Sequence, residues 1–72
     1  MSYQFNRGTV ISVEYVDTLD GLSQLIEIDS NNKIYQTMWN IVDNNDLYGK
    51  GDKVSFLVNE DLVVSLRLNS FA

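Results

Sequence analysis

Two runs, Gly49-Lys-Gly-Asp-Lys-Val-Ser-Phe-Leu-Val58 and Leu62-Val-Val-Ser-Leu-Arg-Leu68, separated by Asn59-Glu-Asp61, decide the fold class. In the first, Val54, Phe56 and Val58 alternate with Lys53, Ser55 and Leu57. In the second, Leu62, Val64, Leu66 and Leu68 alternate with Val63, Ser65, Arg67 and Asn69. A period of two on both sides of a short polar loop predicts an antiparallel hairpin with one buried face. A small all-β barrel or curled sheet follows.

Working towards the N-terminus, the chain supplies three more strands. The first is predicted over about Phe5 to Val16, with Thr9, Ile11, Val13 and Tyr15 on one face and Val10, Ser12, Glu14 and Val16 on the other. Gly8 near its start permits a bulge or the close approach of a neighbour. A long strand with apolar residues on both faces suits a barrel, where it bends and pairs along both edges. Asp20-Gly21 is a turn signal. The second strand is expected over Ser23 to Asp29 and the third over Lys33 to Trp39, joined by Ser30-Asn31-Asn32. Between Asn40 and Lys50 the alternation fails, which predicts an irregular loop or a single helical turn. Five antiparallel strands with a longer connection before the fourth is the arrangement of an OB-like barrel. An SH3-like barrel is the alternative that periodicity leaves open.

At 72 residues the chain is read as a single domain, residues 1–72. A chain this short buries only about 60% of its unfolded surface, so its core is thin. It has no Cys and no His. Disulfides, zinc–thiolate sites, thiolate chemistry and imidazole acid–base work are therefore excluded. No stretch approaches membrane-spanning length, and Met1 to Arg7 lacks the apolar run of a signal peptide, so a soluble cytoplasmic protein is expected. Ten acidic residues against five Lys and Arg give a net charge of −5, which favours solubility and repels nucleic acid at long range.

Three segments resemble the cold-shock and S1-like OB-fold domains. Gly8-Thr9-Val10 is similar to the family's Gly-x-Val opening of strand one. Gly51-Asp-Lys-Val-Ser-Phe-Leu-Val58 is similar to its Gly-x-x-Val-x-Phe-x-Val fourth strand, and Ile34-Tyr35-Gln-Thr-Met38 falls where the family carries an aromatic RNA-binding motif. The resemblance spans nearly the whole chain and implies an OB barrel that binds single-stranded RNA or DNA. The second strand, Gly21 to Ile28, lacks the family's aromatic and basic residues, and Ser12-Val13 stands in place of its aromatic pair on strand one. Of the family's stacking residues, Tyr35 alone has a counterpart.

The expected nucleic-acid contacts are Tyr35 and Lys53, with Arg67, Lys33 and Tyr15 as secondary members. An aromatic platform beside cations is how OB barrels hold single strands, at about 1–3 kcal/mol per stacked base. If Ile34 and Met38 point inward, Tyr35 points to solvent; Trp39 and Tyr48 are read as plugs at the barrel bottom. The alternative is an acidic protein-interaction or inhibitory module presenting Asp17, Asp20, Asp43 and Asp46 to a basic surface on a partner. Asp43 to Asp46 does not match a calcium loop, since the fifth and sixth positions are Leu47 and Tyr48. Glu14, Glu27 and Asp29 lie on or beside the first two strands, where pairing can bring them together, but nothing in their spacing separates two pKa values as acid–base catalysis requires. A non-enzymatic module without metal or cofactor is expected.

Overall fold

The structure, a computed structural model, describes residues 3–41 and 47–68. Five antiparallel strands, β1 (Gln4–Thr18), β2 (Gly21–Ser30), β3 (Lys33–Asn40), β4 (Lys53–Asn59) and β5 (Leu62–Leu68), form one sheet in the order β3-β2-β1-β4-β5. No helix occurs among the described residues. The sheet curls into a half-barrel whose edge strands, β3 and β5, approach each other without pairing.

Strand β1 holds the sheet together because it is long enough to serve two partners. Its first half pairs with β4, from Gln4 opposite Val58 to Thr9 opposite Lys53. From Thr9 onward it pairs with β2, ending with Thr18 opposite Gly21. Gly8 lies tight against β2: a Cβ there would sit 2.6 Å from the Asp29 carbonyl oxygen and 2.7 Å from Ile28 Cγ2. The expected close approach at Gly8 is thus present, and the bulge comes three residues later, at Ile11, between the pairs Val10–Ile28 and Ser12–Glu27.

That bulge corrects the facing expected for the first strand. An extra residue on one side of a ladder reverses the alternation beyond it, so Val10 and Val13 share the inner face opposite Ile28 and Ile26. The same happens in β5. Val63 lies opposite Val58 and Ser65 opposite Leu57, leaving Val64 as the extra residue. Val63 and Leu66 are therefore buried, while Leu62 and Val64, expected on the same face as Leu66, are exposed.

Strand β3 is a further correction. Ile34 and Met38 are 52% and 50% exposed, whereas Tyr35 is only 9% exposed, so Tyr35 points inward and not to solvent. Its register explains why: Tyr35 stands opposite the fully buried Ile28. From there it meets Phe56 edge-on at 5.2 Å between ring centroids, a favoured aromatic geometry. The core is Val10, Ile26, Ile28, Tyr35, Tyr48, Val54, Phe56, Val58, Val63 and Leu66, with Val13, Trp39 and Leu68 packed against it.

Tyr48 is buried in the core, held by a side-chain bridge that the sequence reading missed. The Gln24 side chain, fully buried, behaves as a strand would. Its Nε2 donates to the Tyr48 carbonyl (2.8 Å) and its Oε1 accepts from the Tyr48 N–H (2.9 Å). The Tyr48 hydroxyl then donates to the Leu66 carbonyl at 3.2 Å, tying β2 to β5 through one ring.

Candidate nucleic-acid interface

The register sorts the outward side chains into two chemically different faces. On β1, β4 and β5, Phe5 stands beside Leu57 and Ser65; Arg7, Ser55 and Arg67 form one row; and Thr9 stands beside Lys53. These segments, Gln4 to Thr9, Lys53 to Asn59 and Leu62 to Leu68, contain no Asp or Glu. Three of the chain's five Lys and Arg residues (Arg7, Lys53 and Arg67) are gathered there.

Strand geometry gives the spacing. Arg7 and Arg67 flank Ser55 two strands apart, about 10 Å, and the Lys53 row is two residues along, about 7 Å. The Arg7 guanidinium lies over the Phe5 ring, 5.8 Å from its centroid, a cation–π pairing that holds both side chains in a defined place. Phe5 is 58% exposed, and Tyr3, two residues before it, is also exposed. Lys53 Nζ donates to Thr9 Oγ1 at 2.9 Å. Among the described residues the one ion pair is Lys33–Asp61, and none of their carboxylates pairs with Arg7, Lys53 or Arg67.

The outer side of β1, β2 and β3 is different. Ser12, Glu27 and Gln36 form one row, and Glu14, Leu25 and Met38 the next, with Asp29 and Ile34 on the far side. Ser12, Glu14, Leu25, Glu27 and Gln36 line a depression of about 230 Å³; Ser12 Oγ donates to Glu27 Oε1 at 2.8 Å. Thr9 marks the border, with Asp29 on one side and Lys53 on the other. Among the described residues no three acidic groups converge to hold a metal ion.

Of the five expected nucleic-acid contacts, the structure brings Lys53 and Arg67 together and disperses the rest. Tyr35 is in the core, its ring edge on Phe56 and its hydroxyl accepting from Asn6 Nδ2 at 3.3 Å. Lys33 sits at the β2–β3 turn, bonded to Asp61, with its Nζ 5.1 Å from the Tyr35 ring centroid. The hydrogen bond to Asp61 is the main reason its pKa is raised above the usual lysine value, and burial opposes it only in part. Tyr15 is exposed beside Gln24, whose Nε2 reaches its hydroxyl at 3.3 Å. Asp17 and Asp20 are exposed at the β1–β2 turn; Asp43 and Asp46 lie outside the described residues.

Phe5 and Tyr3 were missed by reading strand by strand, and Arg7 was among the candidate phosphate contacts but not in the expected set. The signal was present, since Phe5-Asn-Arg7 places an aromatic and a cation two residues apart on one strand face. Their partners Lys53 and Arg67 are distant in sequence, and only the pairing of β1 with β4 brings the set together. Comparison with protein families, with curated proteins and with solved structures finds no match to this chain.

Proposed function

We propose that this chain is a non-enzymatic module that binds single-stranded nucleic acid on the outer face of β1, β4 and β5. The observation that carries this reading is the acid-free cluster of Arg7, Lys53 and Arg67 beside the exposed Phe5. Cations follow the phosphates of a single strand, and an exposed ring takes a base by stacking, which tolerates any sequence. The chain's overall acidity opposes approach at long range, but within a Debye length of about 8 Å at physiological salt the local cations dominate.

The strand order, with β1 pairing both β2 and β4 and with β3 approaching β5, supports kinship in architecture with OB barrels. Those barrels generally use the β2–β3 face for oligonucleotides. Here that face carries Glu14, Glu27 and Asp29 and no aromatic ring, so the binding function moves to the opposite flank. Polarisation of a labelled mixed-sequence oligonucleotide tests this assignment. Phe5→Ala should weaken binding by about 1–3 kcal/mol, the contribution of one stacked base, and Tyr35→Phe should leave it unchanged. Equal binding by Phe5→Ala and wild type would refute it.

A further inference from the structure

The two outer faces complement each other in charge and shape. One offers Arg7, Lys53 and Arg67 with Phe5 standing proud; the other offers Glu14, Glu27 and Asp29 around a depression of about 230 Å³, flanked by Leu25, Ile34 and Met38. That volume equals several waters at about 30 Å³ each, room enough for a long cationic side chain between Glu14 and Glu27. Carboxylates on two neighbouring strands suit a guanidinium, which presents its donors as a planar fork.

We propose that these faces bind one another between copies of the chain, the cationic face of one copy seated on the acidic face of the next, and that a single strand displaces this contact. The second clause rests on the function proposed above; the first stands without it. The contact is heterologous, so a pair of copies still has one free face of each kind, and association runs on into longer chains unless the rotation closes a ring.

The dimensions set its strength. Three strands about 14 Å across and six residues about 20 Å long give a footprint of roughly 300 Å² per copy, well below the roughly 800 Å² per partner of a stable complex. A weak, reversible association follows, with Kd on the order of 0.1–1 mM. Salt acts on it in two ways. At 0.1 M the Debye length is about 10 Å, enough to screen repulsion between whole acidic molecules while leaving ion pairs at contact distance. At 1 M, with a Debye length of about 3 Å, the contact pairs weaken too.

Sedimentation velocity on the full chain tests the contact with charge-swapped variants. Glu14→Lys spoils only the acidic face and Arg67→Glu only the cationic face; both positions are exposed, and circular dichroism confirms that each variant folds. Wild type should gain mass steadily with concentration at 0.1 M NaCl and lose that gain at 1 M. Each variant alone should associate about tenfold more weakly or less. An equimolar mixture should regain the association that each variant alone has lost, because the intact cationic face of one variant meets the intact acidic face of the other and the two reversed charges also attract. A wild type that stays monomeric near 1 mM, or a mixture no heavier than its parts, would overturn the proposal. So would a mass that stops at a dimer and ignores both substitutions, which would point to pairing through the free β3 edge instead. Adding an unlabelled oligonucleotide to wild type should dissolve the chains. Chains that form and obey the charge swap, yet ignore an oligonucleotide that does not bind, would leave the contact standing and remove only the nucleic-acid function.

Discussion

Replacing Tyr35 separates the architecture from its mirror reading, in which that ring faces solvent. The ring is 9% exposed, meets Phe56 edge-on at 5.2 Å and accepts a hydrogen bond from the buried Asn6 amide. Truncating a buried aromatic ring to Ala costs about 3–5 kcal/mol, and the orphaned Asn6 donor adds to the loss. At about 0.05–0.15 kcal/mol per residue, a chain of 72 residues has roughly 4–11 kcal/mol in total. Tyr35→Ala, at about 4 kcal/mol, therefore removes a large share. With a shift of about 4–8 °C per kcal/mol for a domain this size, the melting temperature should fall by roughly 15–30 °C. Tyr35→Phe keeps the ring and loses one hydrogen bond, about 1 kcal/mol, for a fall of roughly 4–8 °C. Urea and thermal unfolding followed through Trp39, the single tryptophan, reads both. An exposed Tyr35 would make the Ala variant nearly neutral, within about 0.5 kcal/mol. A melting temperature within a few degrees of wild type would refute the inward placement and the registers of β2 and β3 that produce it.

Gly8→Ala should destabilise by about 1–3 kcal/mol in the same unfolding assay, because the new methyl group meets the Asp29 carbonyl and Ile28 of a paired strand, neither of which can swing aside. Gln24→Leu preserves bulk but removes two buried hydrogen bonds to the Tyr48 backbone, at about 0.5–1.5 kcal/mol for each bond lost; hydrogen exchange at the Tyr48 amide should accelerate with it. Glu60 and Asp61 both have positive φ, 53° and 67°, a conformation that costs most residues about 1–2 kcal/mol and Asn much less. Glu60→Asn should therefore raise stability by about 1 kcal/mol while keeping the Lys33–Asp61 pair, and an unchanged or lower melting temperature would count against the turn. Lys33, whose pKa is raised from 10.5 chiefly by its hydrogen bond to Asp61, contributes its stabilisation below the unfolded-state value and loses it as pH climbs through the folded one. In Asp61→Asn an NMR titration of the Lys33 side chain should move back towards 10.5.

Much of the architecture was legible because strand existence depends on local pattern. All five strands and the turns between β1 and β2, β2 and β3, and β4 and β5 fell where alternation and turn residues placed them. Facing was less legible, for a physical reason. Bulges at Ile11 and Val64 reverse the alternation midway, and the only local trace of each is a pair of adjacent apolar residues, Val10-Ile11 and Val63-Val64. In β3, apolar residues occupy both faces. The choice between Tyr35 and the pair Ile34 and Met38 was made by the opposing Ile28 and by Phe56, not by β3 itself. The candidate site was half legible. Lys53 and Arg67 were recognisable as outward cations, but their alignment with Arg7 and Phe5 is a property of long-range register. Separation of charge into two faces likewise appears only when the strands are laid side by side.

If Arg7, Lys53 and Arg67 meet the phosphates of a single strand, a salt series measures it directly. Each phosphate neutralised on a single strand contributes about −0.7 to the slope of log K against log salt. Three such contacts give a slope near −2 for wild type, and Arg67→Ala should flatten it by about 0.7 while weakening binding. A titration of labelled oligonucleotide that shows no binding at low salt, or a wild-type slope that Arg67→Ala leaves untouched, would contradict the claim.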